Sequence, residues 1–348
     1  MIFIRILLIL FFAFNINLLY ADFPIGIYGV NNPEDIKTVK EAGFDTIQTY
    51  KSEPETLKLL ADEAIKQNIK LVIPSSKIIR KEYQEEIENW PVLAWYIFDE
   101  PDVAKLSREK LNTLDVNTKN IFPRVKTVFV IGQGKTEIPY YDLADILMVD
   151  WYPVPHLPLE SFGNQIRIAK DFLNEMNCSK KELWAVVQAF DWKEFKQYRP
   201  DNDRIGRFPT KEEIRFMSYD AVFNGATGLF YFIYTSKGVP LPQSKPDNWK
   251  DLSSVANEMA AVRNILQAKL SDNPIEIKEP LKAKTFLYNN EKYTFIINSA
   301  NQPQTIPKKF FKKKNFQEVS FNGQEPSTKK GKNNLQQYGI VIFKQLNS

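Results

Sequence analysis

The chain has 348 residues, of which 43% are hydrophobic and 25% charged; this is an ordinary globular balance that excludes wholesale disorder and is more than one small domain needs. A single cysteine, Cys178, and a single histidine, His156, exclude an intrachain disulfide, a His/Cys metal site, a Ser-His-Asp triad and a Cys-His pair. The formal charge is +4, and carboxylates are the side chains left to carry hydrolytic chemistry.

The chain opens "MIFIRILLILFFAFNINLLYADFP". One basic residue, an apolar run and the exit Leu19-Tyr20-Ala21 predict a signal peptide over residues 1–21, cleaved after Ala21, and hence export to the periplasm or beyond. No cysteine follows that site to carry a lipid, and no later segment has the length and apolarity of a membrane span.

Short apolar runs then recur: "FPIGIYGV", "DTIQTY", "KLVIPS", "LAWYIFDE", "KTVFVIGQ", "ILMVDWYP", "LWAVVQAFD" and "GLFYFIYTS". Near-continuous rather than alternating apolarity fits parallel strands buried on both faces. Helix signals separate them. Asn32-Pro33 opens one helix and Gly43 closes it. Ser52 and Glu55 stand at capping-box spacing before a helix that ends at Asn68. Thr210 caps "KEEIRFMSYDAVFN", which stops near Gly225, and "NWKDLSSVANEMAAVRNILQ" supplies a last long helix. Eight such units predict an α/β fold, a (β/α)8 TIM barrel over residues 22–273. An open doubly wound sheet is the alternative, but no Gly-rich phosphate loop follows any strand.

From residue 274 the pattern changes to strands only, with a hairpin expected at Asn289-Asn290, so residues 274–348 are expected to form a small, sandwich-like all-β domain. Residues 301–348 carry nine lysines against Glu318 and Glu325. The clusters "KKFFKKK" and "KKGK" read as solvated loop faces, and no nucleic-acid partner is expected of an exported chain.

A barrel places chemistry at the C-terminal ends of its strands. Those ends carry Tyr28; Gln48 and Tyr50; Ser75; Asp99 and Glu100; Gln133; Asp150, Trp151 and Tyr152; Gln188, Phe190, Asp191 and Trp192; and Tyr234. Carboxylates, amides and rings converge without a cluster of lysine or arginine, which suits a neutral polyol and not a phosphate. Glu100 is the candidate proton donor, because apolar surroundings and the neighbouring Asp99 both raise a carboxyl pKa. Pro101 keeps Glu100 out of helical geometry. Neighbours on a strand face opposite sides, so Asp99 is expected to brace a loop if Glu100 faces the cleft. Asp150 and Asp191 are the candidate second carboxylates. Tyr28, Gln48, Tyr50, Asp99, Trp151, Tyr152, Gln188, Phe190, Trp192 and Tyr234 are the candidate sugar contacts. His156, in "YPVPHLP", reads as an exposed loop residue, and neither a cofactor nor a metal is expected.

"WYIFDEPD" resembles the strand-four Asn-Glu-Pro signature of clan A glycoside hydrolases, with Asp99 in place of asparagine. "VDWYPV", "VVQAF" and "PTKEEIRFMSYDAVFNGATGLFYF" together resemble a group of bacterial exported barrels related to that superfamily. The resemblance covers roughly residues 23 to 345 and implies a glycan substrate, with Glu100 matching the acid/base glutamate. It departs on strand seven, where the clan places a glutamate nucleophile and this chain has "VVQAFD"; the amide of Gln188 cannot form a glycosyl-enzyme intermediate. Asp150 or Asp191 would then be the partner, or the barrel binds glycans without cleaving them. The oligomeric state is not legible in the sequence.

Overall fold

The structure is a computed structural model and describes residues 23–132, 140–198, 206–272, 275–311, 316–321 and 333–346. The expected signal peptide, Gln133 and the expected domain boundary lie outside the described residues, as does "KKGK". No described helix is long and apolar enough to cross a membrane.

Eight strands fill the first two thirds of the chain, each separated from the next by a helix except the fifth and sixth, between which none is described. They run β1 Ile25–Ile27, α1 Asp35–Glu41, β2 Thr46–Gln48, α2 Pro54–Gln67, β3 Lys70–Pro74, α3 Gln84–Ile87, β4 Val92–Asp99, α4 Arg108–Ile121, β5 Lys126–Ile131, β6 Ile146–Asp150, α5 Ser161–Glu175, β7 Glu182–Gln188, α6 Lys211–Phe223 and β8 Gly228–Phe232. The strands pair in sequence order and close into a barrel; Gly26 of β1 registers with Thr46 of β2 on one side and Phe230 of β8 on the other. A hairpin of β9 (Thr235–Ser236) and β10 (Val239–Pro240) follows, then α7 (Leu241–Ser244) and the long α8 (Pro246–Leu266).

The continuous apolarity of the strands has the expected cause. Alternate residues fill the barrel interior, including Val72, Ala94, Val128, Met148, Trp184 and Phe230. The residues between them, such as Leu71, Trp95, Phe129, Leu147 and Leu229, pack under the helices. Two of the helix starts differ from expectation. α1 begins two residues after Pro33. At α2 the Ser52–Glu55 box does not form, because Glu53 is the cap residue and Pro54 occupies the first turn. The Thr210–Glu213 box does form, with both reciprocal bonds. Asn68 ends α2 in the left-handed conformation that asparagine tolerates.

The C-terminal part is antiparallel. It comprises β11 (Lys269–Leu270), β12 (Leu281–Tyr288), β13 (Glu291–Asn298), β14 (Gln304–Thr305), the short α9 (Lys308–Phe311), β15 (Phe316–Val319), β16 (Asn334–Leu335) and β17 (Ile340–Gln345). Five strands form one sheet in the order β11-β12-β13-β17-β15, and β14 pairs with β16. Asn289 and Asn290, both at positive φ, make the two-residue turn between β12 and β13. The sheet docks on α6 and α8. Arg215 of α6 donates to both Glu258 oxygens at 2.7 Å and to the Ile340 carbonyl at 3.1 Å, and Lys282 of β12 reaches the buried Asp220 of α6 at 3.2 Å.

Candidate active site

The C-terminal ends of the strands surround a cleft of about 1030 Å³. Its polar floor begins at the end of β4. In β4, Ala94 and Tyr96 point into the barrel, while Trp95, Ile97 and Phe98 all pack outward. Two successive outward residues mark a bulge, and the register with β5 slips there, from Tyr96↔Val128 to Phe98↔Phe129. The bulge turns Asp99 inward. Glu100 then adopts φ +48, a left-handed conformation rare for a residue that is neither glycine, asparagine nor aspartate. The chain reverses so sharply that Glu100 lines the cleft as well. This corrects the expectation that Asp99 and Glu100 face opposite sides: strand alternation stops at the bulge. Pro101 does exclude right-handed helical geometry at Glu100, but the backbone is left-handed where an extended one was the simplest expectation.

The turn is braced by Asp102. Its carboxylate accepts from the backbone N–H of Gly132, 3.3 Å from each oxygen, tying the loop after β4 to the end of β5. The Glu100 N–H donates to the Val130 carbonyl at 3.1 Å. Asp102 thus does the bracing expected of Asp99, and it sat in the same quoted motif.

Asp150 ends β6, 7% exposed, and its carboxyl lies beside that of Glu100. A methyl group built on Gly132 would stand 2.5 Å from Glu100 Oε1 and 3.0 Å from Asp150 Oδ1; both oxygens face the space that glycine leaves open. Asp150 Oδ1 accepts no hydrogen bond among the described residues. Burial first, then the Glu100 charge, push Asp150 well above the usual carboxylate range. Burial and the charges of Asp99 and Asp102 raise Glu100, while its bond to Asp150 opposes the rise. Of the two carboxyls, Asp150 is the one raised further, because it is the more deeply buried.

Tyrosines surround the pair. Tyr152 donates to Asp150 Oδ2 at 3.3 Å, Tyr96 donates to Asp99 Oδ1 at 2.5 Å, and the Tyr28 hydroxyl lies 3.3 Å from Met148 Sδ. Burial and the nearby carboxylates push the Tyr28 and Tyr152 phenols well up, so both are neutral donors. Asp99 is open to the cleft on one side; confinement by the remaining walls raises its carboxyl, and the Tyr96 bond partly offsets this. One wall is aromatic: the rings of Tyr152, Trp192 and Phe195 lie 4.9–5.0 Å from that of Phe190, with Phe232 5.5 Å from it.

Of the expected residues, Tyr28, Tyr50, Asp99, Glu100, Asp150, Trp151, Tyr152, Phe190 and Trp192 line the cleft. Four do not. Gln48 is wholly buried and binds the Gly29 N–H and Thr49 carbonyl. Gln188 is wholly buried and clamps Val154 through both its N–H and its carbonyl. Asp191 lies past β7 and accepts from the Lys193 N–H at 2.9 Å, holding its own loop. Tyr234 points outward, donates to Asp35 at 2.9 Å and packs on Trp249. Pattern reading missed Gly132, Phe195 and Phe232. Phe232 had a signal, since it closes the apolar run of β8; Gly132 had only its place next to the expected Gln133.

No protein-family model matches the chain, and no curated protein matches it. Among solved structures it is similar to Eubacterium rectale Amy13B, with TM-score 0.60 and 10% identity over 94% of this chain and 96% of that one. The alpha-amylase from Geobacillus thermoleovorans, complexed with acarbose, gives 0.58 and 10% over 93% and 98%. AmyP in complex with maltose gives 0.55 and 9% over 92% and 96%. At such identities the likeness is one of architecture. The closed eight-stranded barrel followed by antiparallel sheets is the architecture this chain has in common with them.

Proposed function

We propose that the chain is an exported glycoside hydrolase in which Glu100 and Asp150 form a proton-sharing pair, with Glu100 presenting the proton to the leaving oxygen of a glycosidic bond. The observation that carries this reading is the carboxyl–carboxyl contact at the floor of a ring-lined cleft. Losing the last proton would leave two anions side by side, so the pair releases it at higher pH than a lone carboxyl would. A proton held there, beside a cleft built for an uncharged polyol, is what protonating a leaving alkoxide requires. Glu100, half-buried, is the member open to substrate; Asp150, deeper, stores the proton. Both carboxyls face the space beside Gly132, so they act from one side as a unit. The relation to a particular exported branch of the clan A barrels rests on the strand-four and strand-six motifs and belongs to this proposal.

A second reading, a carbohydrate-binding barrel without catalysis, is favoured by one feature: β7 ends in Gln188, buried and committed to Val154. Hydrolysis of a broad glycan panel by the mature protein separates the two, with Glu100→Gln and Asp150→Asn alongside. Sugar release that drops by about 10²–10⁴-fold in each variant supports the hydrolase. Binding without release in all three proteins supports the binding barrel.

A further inference from the structure

Two rings of the aromatic wall, Trp192 and Phe195, come from one short segment, the helical turn Trp192–Tyr198 after β7. That turn is a weak support for them. It is of the 3-10 type, whose hydrogen bonds are poorly aligned, and Phe195 breaks it with φ −112 and ψ 26. Its start is tied to its own loop. The Glu194 N–H donates to the Asp191 carbonyl at 2.9 Å, and the Asp191 carboxylate accepts from the Lys193 N–H at 2.9 Å. Gly206 lies against the same stretch, where a methyl group would stand 2.7 Å from the Lys193 nitrogen. Glu194, between the two rings in sequence, forms an ion pair with Lys245 at the junction of α7 and α8. Lys245 is a fixed post. Its N–H donates to the Leu241 carbonyl at 2.8 Å and its carbonyl accepts from the Trp249 N–H at 3.0 Å. Pro246 keeps its backbone out of helical geometry, at φ −147 and ψ 71. The ammonium also stands 5.6 Å over the ring of Phe208, in the loop before α6. The two side chains are 28% and 20% exposed, so salt and water screen the pair less than they would a surface one.

Resting on the reading of this cleft as a glycan site, we propose that Lys245 and Glu194 are positioning residues for glycan binding: their ion pair clasps the loop after β7 to the segment after β8, so that Trp192 and Phe195 stand in the cleft before the sugar arrives. Ring contacts depend on spacing and orientation. A wall already in place spares the sugar the cost of ordering two ring-bearing side chains and the loop between them. Glu100 and Asp150 belong to the ends of β4 and β6, on other strands. The clasp therefore acts on binding and leaves the proton transfer alone.

The test has two arms on the full chain. In the first, fluorinated tryptophan is incorporated and the fluorine signals of Trp192 and Trp151 are followed without ligand, each assigned by its change to Phe. Trp151 is the control, since its indole N–H is held by the Ser161 hydroxyl at 3.0 Å. Lys245→Met is expected to shift and broaden the Trp192 signal as the loop exchanges between positions, and to leave that of Trp151 unchanged. Lys245→Arg keeps the charge and the parent signal. Glu194→Gln repeats the effect of Lys245→Met and serves if that variant does not fold. The second arm measures turnover and calorimetric binding of maltohexaose, cellohexaose and xylohexaose. For the oligomer the parent takes best, KM and Kd are expected to rise about tenfold in Lys245→Met and Glu194→Gln, the cost of ordering two side chains at binding, with kcat within about threefold of the parent. A Trp192 signal unchanged in both variants overturns the proposal, as does Lys245→Arg behaving like Lys245→Met, or kcat falling while KM holds. Binding without turnover, with the expected rise in Kd, supports the clasp and removes the hydrolase reading. A parent that neither binds nor cleaves any of the three oligomers overturns the glycan role of the clasp, whatever the Trp192 signal does.

Discussion

A hydrogen atom at residue 132 is what allows two carboxyls from different strands to touch. A methyl group there would stand 2.5 Å from Glu100 Oε1 and 3.0 Å from Asp150 Oδ1, closer than such contacts allow, so one carboxyl must move. Gly132→Ala is expected to lower turnover by about 10²-fold through misplacement alone and to leave the melting temperature within a few degrees; retention of full turnover in a steady-state assay would count against the pair. The pair also makes a stability prediction with a definite sign. Asp150 in the folded chain holds its proton well above the usual carboxylate range, chiefly because it is buried and next because Glu100 is charged. The unfolded chain gives up that proton in the ordinary range. Its contribution to stability is therefore fully present below the unfolded pKa and is lost as pH rises to and through the folded pKa, because across that window unfolding releases a proton that the native state still holds. Asp150→Asn removes this titration. Melting curves across pH are expected to show a flatter decline on the alkaline side for the variant, and a melting temperature about 2–4 °C above that of the parent at neutral pH, on the order of 1 kcal/mol. Parallel curves would mean that Asp150 does not hold the proton.

Element by element, the chain shows which rules of pattern reading survive packing. The eight apolar runs became the eight barrel strands because burial on both faces leaves a mark no loop imitates. Strand ends were legible too, and with them the rim. What was not legible is which way a side chain turns there. Gln48 and Gln188 sit at strand ends yet serve the scaffold, because their buried amides are taken up by backbone groups, and Tyr234, two residues past β8, turns to Asp35. Asp99 and Glu100 share the cleft only because a bulge at Ile97 and a left-handed Glu100 break the alternation, and both are set by contacts with β5 that no local pattern records. The helix caps make the same point in a form that can be measured. Thr210 and Glu213 form a reciprocal box at the start of α6, whereas Ser52 and Glu55, at the same spacing, do not. Thr210→Ala is expected to cost about 1 kcal/mol in denaturant unfolding, and Ser52→Ala a few tenths at most. Equal costs would show that spacing alone, not the formed box, carries the stabilisation.

At the scale of the molecule, α6 carries two loads. Its apolar residues Ile214, Met217 and Ala221 are buried in the core around the barrel, and its polar residues Arg215, Tyr219 and Asp220 anchor the C-terminal sheet. Arg215 holds both oxygens of Glu258, which is 1% exposed, and the carbonyl of Ile340 in β17; the Tyr219 hydroxyl adds a third donor to Glu258 at 2.9 Å. Lys284 of β12 reaches the Phe223 carbonyl at the end of α6 at 2.5 Å. These are groups taken out of water at a considerable desolvation cost, so they stabilise the junction only as a complete set. Removing one member strands the others. Arg215→Met leaves the buried Glu258 anion without its countercharge, with the Tyr219 hydroxyl still donating to it, and is expected to cost about 3–5 kcal/mol, while the double change Arg215→Met, Glu258→Met recovers most of that loss because no buried charge remains. Chemical unfolding of the parent, both single variants and the double variant gives the coupling directly. A near-additive cycle would mean that the sheet is held by apolar packing, such as Phe295 against Tyr219 at 5.9 Å; a strongly non-additive one makes the ion pair the joint through which barrel and sheet unfold as one unit.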